Sequence, residues 1–303
     1  MLSPGQIEQY QVFGFVILRQ YLNGEEVAKL REESDTLSDA ANGMIQWDEQ
    51  HPRDQNAMGE LSPFTNSLFE SDRFAGVAEQ LFGEIVPGTC LAHRYVGDTV
   101  WHYDSGGPDM QGVKFGIYLD PTTDSTGALR VIPGTNSLNY HSQVASVDPL
   151  GPQFSRATAT LENRQRAIDG IDSVPSYICA SDPGDVVAFD LLTYHASLGG
   201  KVDRRMTSMT YYQYPVTLGA KEMMILNSRG HLAEGDNSES PWNPKRSFPD
   251  DWFETAKHHE RRLDWIRKLN ELSAMPEGQG GVKAIAEDGK WKIVPTVQSG
   301  NPN

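Results

Sequence analysis

The chain has 303 residues, with 41 acidic against 26 basic side chains and a formal net charge of −15. So acidic a surface repels phosphate backbones and anionic headgroups, which argues against nucleic acid or a membrane as partner, although a buried pocket can still be locally basic. No stretch stays apolar long enough to span a bilayer, the start Met1-Leu2-Ser3-Pro4 lacks a basic-then-apolar leader, and two cysteines, Cys90 and Cys179, cannot frame a disulfide scaffold, so a soluble, cytoplasmic protein is expected.

In chain order, Ser3-Pro4-Gly5-Gln6 supplies an N-cap, a proline at the first helical position and a capping-box glutamine, predicting a helix to about Val12. Gly14 ends it and Phe15 to Leu18 reads as a strand. Asn23-Gly24-Glu25-Glu26 is a second capping signal, and Val27, Leu30 and Leu37 form the apolar stripe of a helix to about Ser38. Asn42 to Phe69 is polar and irregular, a candidate loop over the mouth of a site, and residues 74–82 read as a further helix.

From Gly88 the pattern turns to strands. Thr89 to Val96, Trp101 to Tyr103, Val113 to Leu119, Ala128 to Ile132, Tyr177 to Ala180, Asp185 to Leu191 and Met206 to Tyr214 are separated by Gly and Pro turns. That supply predicts a mainly β chain with flanking helices, a double-stranded β-helix (jelly-roll, cupin-like) barrel. The long interval from His141 to Pro175, with a helix expected around Thr160 to Ala167, is a natural place for substrate contacts or a lid. Met223 to Asn243 reads as a polar loop, Asp250 to Leu272 as one amphipathic helix, and the Gly-, Gln- and Pro-rich end as loosely ordered. The expected organisation is one domain over 1–275, with a barrel core about 88–215 and a helical extension about 216–275, followed by a tail, 276–303.

Two short stretches carry chemistry: Trp101-His102-Tyr103-Asp104 and Tyr194-His195-Ala196-Ser197. Residues two apart on a strand point to the same side with Cα atoms ~6.8 Å apart, so His102 and Asp104 can converge on one ion. His195, after a strand that arrives through a turn, offers the third donor. Two imidazoles and one carboxylate on one face suit non-haem iron(II), with other positions left open. Alone, His-x-Asp is equally a hydrogen-bonded strand end. After His195, however, the loop 198–203 and the pair Arg204-Arg205 open an alternating segment, so an arginine stands at the base of the hairpin. A guanidinium grips a carboxylate through two parallel hydrogen bonds, which suggests a dicarboxylate cosubstrate. Strand alternation sends the two arginines to opposite faces; counting back from Tyr211 favours Arg204, with Arg205 its rival.

In these features the chain resembles the phytanoyl-CoA dioxygenase family of iron(II)- and 2-oxoglutarate-dependent oxygenases. The resemblance runs from the first residue to about Pro215. It rests on Leu2 to Tyr10 and Gly14 to Leu18, the His-x-Asp pair, Tyr118-Leu119-Asp120, Thr126 to Asn136, and Pro183-Gly184-Asp185 leading to His195, Ser197 and an arginine. It implies that His102, Asp104 and His195 bind iron(II), that Arg204 holds the distal carboxylate of 2-oxoglutarate and that Ser197 adds a hydrogen bond to it. It further implies O2 as co-reactant and a small-molecule substrate, such as a secondary-metabolite intermediate, oxidised by default at a C–H bond, with release of succinate and CO2. Asp104 fills the position that is a small residue in related halogenating enzymes, which speaks against a halogenase.

Lys114 and Arg94 sit on expected barrel strands, where an inward charge is costly unless it meets an anion, so both are candidate cosubstrate contacts. Trp101, Tyr103 and Tyr118 read as packing, and His93, His141, His231 and His258-His259 as surface or hydrogen-bonded histidines. The rival reading is a cupin-like protein that binds a metal or small ligand without turnover; a dicarboxylate anchor argues against it. Substrate identity and oligomeric state stay open at this level.

Overall fold

The computed structural model describes residues 1–44, 46–105, 107, 109–145, 170–222, 224, 248–273, 281–287 and 290–296. Helix α1 (Pro4–Phe13) starts on the expected capping box. Ser3 Oγ accepts from Gln6 N–H at 3.3 Å, and Gln6 Oε1 accepts from Ser3 N–H at 2.9 Å. It stops at Gly14, whose φ of 79° is left-handed. After β1 (Phe15–Leu18), a second capping box on Asn23 and Glu26 opens α2 (Gly24–Asn42). Then follow β2 (Arg53–Asn56), α3 (Pro63–Phe69), α4 (Ala75–Phe82), β3 (Ile85–Tyr95), β4 (Thr99–His102), β5 (Gly112–Tyr118), β6 (Leu129–Val131) and α5 (Leu138–Val144). The remainder comprises β7 (Tyr177–Cys179), β8 (Val186–Asp190), β9 (His195–Ser197), β10 (Arg204–Gln213), α6 (Asp250–Glu254), α7 (Glu260–Ser273), β11 (Gly281–Glu287) and β12 (Lys290–Thr296).

Six strands pair antiparallel in the order β1-β8-β5-β10-β3-β2, and four in the order β4-β9-β6-β7. Because β3, β5, β8 and β10 lie in the first sheet and β4, β6, β7 and β9 in the second, the chain from β3 to β10 crosses between sheets at every connection except the β6–β7 hairpin, and the result is a double-stranded β-helix. Phe15, Tyr118, Val187, Phe189 and Met206 of the larger sheet meet Val131 and Cys179 of the smaller one inside the barrel. The other face of the larger sheet buries Phe115, Ile117, Ala188 and Tyr211 against the helices through Tyr10, Leu30, Phe69, Phe74 and Trp265. β8 is covered on both faces, which is why Val186 to Phe189 reads as an unbroken apolar run.

Three stretches depart from expectation. Within Asn42 to Phe69 the chain adds an edge strand, β2, and helix α3 rather than a free loop. β2 is polar because its side chains meet polar partners: Arg53 reaches Asn42 Oδ1 at 2.6 Å, Gln55 the Leu37 carbonyl, and Asp54 the ring of His93 at 2.6 Å. The expected single helix over Asp250 to Leu272 is broken between α6 and α7. The Arg262 guanidinium takes the Trp252 carbonyl at 2.9 Å, so a side chain stands there in place of a helical N–H partner, while the Asp251 carbonyl accepts both the N–H of Thr255, at 3.1 Å, and its Oγ1, at 2.9 Å. Finally, part of the expected loose tail is ordered: β11 and β12 pair antiparallel beside α6 and α7. Two alternating runs flanking Asp288-Gly289 are a hairpin signal that the surrounding Gly, Gln and Pro obscured. The helix expected around Thr160 to Ala167 and, apart from Met224, the loop Met223 to Asn243 lie outside the described residues.

Candidate metal centre

β4 and β9 pair so that His102 and His195 are direct partners across the ladder. Their ring centroids lie 4.1 Å apart. Asp104 follows two residues after His102, where its N–H donates to the Leu191 carbonyl at 2.8 Å. One donor atom from each of His102, Asp104 and His195 falls within 4.8 Å of the others. His102 Nδ1 lies 2.8 Å from the Val100 carbonyl and His195 Nδ1 2.9 Å from the Thr193 carbonyl. A carbonyl only accepts, so Nδ1 carries the proton in each ring and Nε2 carries the lone pair that a metal takes, facing Asp104 oxygens at 3.8 Å and 3.5 Å. Such carbonyl-held imidazoles are what a metal requires of its histidines.

Burial by itself raises the Asp104 carboxyl's pKa. The Lys114 ammonium is the largest of the influences that overcome that, and the carboxyl is held well below the usual carboxylate range. Lys114 Nζ supplies a hydrogen bond to Oδ2. The centre therefore presents two neutral nitrogens and one ionised carboxylate, a donor set that fits iron(II). Phe189 closes one side, its ring 4.8 Å from that of His195.

Arg204 is 8% exposed and points into the barrel. One Nη donates to the Gly127 carbonyl at 2.6 Å, the other approaches Ser197 Oγ at 3.4 Å, and the guanidinium carbon lies 5.3 Å from the Tyr95 ring centre. These partners are all neutral. Among the described residues no carboxylate pairs with this buried cation, so it is arranged to receive an anion. Gly127 makes room for it: a Cβ there, on a backbone with φ of +88°, would lie 1.3 Å from Arg204 Nη1.

Arg205, directly after it, faces outward and pairs with Asp120 at 3.0 Å and with Asp35 at 3.5 Å. Arg94 is its cross-strand partner and shares that face, pairing with Asp35 and Asp203. The expectation that Arg94 touches the cosubstrate is therefore corrected: register turns it to the sheet face opposite Arg204, where it is buried and neutralised by Asp35 and Asp203. Lys114 does face inward, but its ammonium is directed at Asp104. Tyr95, Gly127 and the carbonyls of Val100, Leu191 and Thr193 escaped the sequence reading, because cross-strand register and turn geometry bring them to the site and no local motif marks them.

Residues 10–206 match the family model described as phytanoyl-CoA dioxygenase. Ectoine dioxygenase of Bordetella bronchiseptica is 25% identical over 153 residues, 45% of this chain and 50% of that protein. That of Streptomyces avermitilis is 24% identical over 153 residues, 45% and 52% of the two chains. The chain thus spans about half the length of the curated relatives it matches. Among solved structures, apo EctD from S. alaskensis has a TM-score of 0.52 at 19% identity, covering 70% of this chain and 78% of its own. HygX from Streptomyces hygroscopicus, with nickel and 2-oxoglutarate bound, has a TM-score of 0.52 at 15% identity over 70% and 87% of the chains. The epimerase SnoN from nogalamycin biosynthesis, in complex with Fe3+, α-ketoglutarate and nogalamycin RO, has a TM-score of 0.52 at 17% identity over 69% and 83%. At such identities the likeness shows the fold.

Proposed function

We propose that this chain, which belongs to the phytanoyl-CoA dioxygenase family, is an iron(II)- and 2-oxoglutarate-dependent dioxygenase that oxidises, by default hydroxylates, an unactivated C–H bond of a small molecule. The observation that carries this reading is a pair of features: three convergent metal donors, and a buried guanidinium that meets no carboxylate among the described residues. A protein that merely stores a metal needs the first and not the second. Bound iron(II) with 2-oxoglutarate supplies the oxidising chemistry, consuming O2 and releasing succinate and CO2.

In this reading His102, Asp104 and His195 hold the iron, with His102 and His195 fixed in one tautomer by the Val100 and Thr193 carbonyls. Lys114 holds the second oxygen of Asp104 and so fixes the direction of the first. Arg204, with Ser197 beside it, binds the distal carboxylate of 2-oxoglutarate, and Tyr95 and Gly127 set the guanidinium's position. Phe189 and Met206 line the barrel with apolar surface that excludes water from the reacting centre. Names of the relatives, ectoine dioxygenases and an epimerase from nogalamycin biosynthesis, support a small metabolite as substrate. A cytoplasmic setting belongs to the same reading and is supported by the two buried free thiols, Cys90 and Cys179.

The test is succinate formation from 2-oxoglutarate under air with iron(II). Turnover should vanish in His102→Ala and Asp104→Ala. Metal- and 2-oxoglutarate-loaded protein that forms no succinate, alone or with any of a panel of small metabolites, would return the chain to a binding role, and turnover surviving either substitution would remove the triad.

A further inference from the structure

Along β8, Phe189 turns its ring toward His195, so the next side chain, Asp190, turns to the opposite face of the sheet, where α1 and α4 lie. There Asp190 lines a recess of about 300 Å3 together with Tyr10, Phe82, Gln111, Asn136 and Gln213. Asp190 is the one charged group among its lining residues. Oδ1 accepts from Leu192 N–H at 2.9 Å, and no Lys, Arg or His pairs with the carboxylate among the described residues. Burial pushes the carboxyl up to about 7, against the opposing hydrogen bond from Leu192. Asn136, in the same wall, gives its Nδ2 to the Gln11 carbonyl at 2.9 Å. The remaining lining, Leu81, Phe82, Leu138 and Leu192, is apolar.

We propose that this recess is a second binding site, distinct from the metal centre, for a small organic cation bearing N–H donors, an alkylammonium or a guanidinium. Its N–H groups pair with Asp190, and its carbons lie against Phe82 and Leu192. An inorganic cation would leave that apolar wall unused. An anion would meet the carboxylate.

The test uses the full chain and needs neither iron nor 2-oxoglutarate, so its outcome is independent of the oxygenase reading. At about pH 8, above the Asp190 carboxyl's value of about 7, the protein is titrated calorimetrically with butylammonium and with methylguanidinium chloride, and with tetramethylammonium chloride at matched ionic strength. At least one of the N–H-bearing cations should bind saturably, and tetramethylammonium, which cannot donate, should not. Asp190→Asn keeps an acceptor for Leu192 N–H and removes the charge, so affinity should fall at least about tenfold. If Asp190→Asn does not fold, the unaltered protein at about pH 5, where the Asp190 carboxyl is protonated, should bind more weakly than at about pH 8. Absence of saturable binding by either N–H-bearing cation, equal affinity for tetramethylammonium, or unchanged affinity in Asp190→Asn or, where that variant does not fold, at the lower pH overturns the proposal.

Discussion

Lys114 Nζ stands 3.0 Å from Oδ2 of Asp104, the carboxylate that both histidines face. With that oxygen held, the other is left to the metal in a fixed direction. Lys114→Met should therefore weaken iron(II) or cobalt(II) affinity by about 10–100-fold, the usual cost of losing a group that orients a ligand, while Lys114→Arg retains much of it. Anaerobic metal titration reads the difference; equal affinity in Lys114→Met would show that the ion pair is incidental.

Arg204 and Arg205 are adjacent yet face opposite media, one neutral partners inside the barrel, the other Asp120 and Asp35 outside. Arg204→Leu should raise the KM for 2-oxoglutarate by roughly 10–100-fold, the loss of a charge-assisted hydrogen-bonded pair. Arg205→Leu should leave that KM alone and lower stability by about 1 kcal/mol or less, as for other partly exposed ion pairs. Succinate assays at varied 2-oxoglutarate, with denaturant unfolding alongside, separate the two. A KM effect in Arg205→Leu instead would reverse the assignment.

Gly127 is the floor under the guanidinium. In Gly127→Ala the new methyl would overlap Arg204 Nη1 and strain a backbone at φ of +88°. The expected outcome is a raised KM for 2-oxoglutarate together with a stability loss of about 1 kcal/mol or more. Wild-type KM in a folded Gly127→Ala protein would mean that Arg204 does not need its observed position.

Asp190 makes stability depend on pH. Its folded carboxyl titrates at about 7 against an ordinary value of 3.8, so in that window the folded chain holds a proton that the unfolded chain has released. Stability rises with pH only where the unfolded state binds more protons; here the folded state does, so stability falls as pH rises from about 4 to about 7. Asp190→Asn should flatten that fall. Urea unfolding at a series of pH values measures the slope, and an unchanged slope excludes Asp190 as its source.

How much of this could be read in advance divides along a physical line. Capping boxes at Ser3 and Asn23 were legible because donor and acceptor lie three residues apart. The shared side of His102 and Asp104 was legible because a strand's two-residue period is a local property. Arg204 could be favoured over Arg205 only by counting back from Tyr211, since alternation says that the two diverge and not which way. Pairing of Arg205 with Arg94, beside the carboxylates of Asp35 and Asp120, turns Arg205 away from the barrel interior. Arg94 misled for the same reason: a charge on a barrel strand is equally compatible with either face until the register is known. In β2 the polar run Arg53-Asp54-Gln55-Asn56 hid a strand, because its partners, Asn42, Leu37 and His93, come from other elements.

By itself, the sequence determined the elements whose causes are local: caps, turns, strand periodicity, and a histidine and a carboxylate able to share one ion. Tertiary structure alone decided which faces meet. The direct opposition of His102 and His195, the carbonyls that fix their tautomers, the neutral cradle around Arg204 and the unpaired carboxylate of Asp190 all arise from strands far apart in the chain. Their register is set by burying the apolar faces of two sheets at once, and that is a condition on the whole barrel which no short stretch of residues contains.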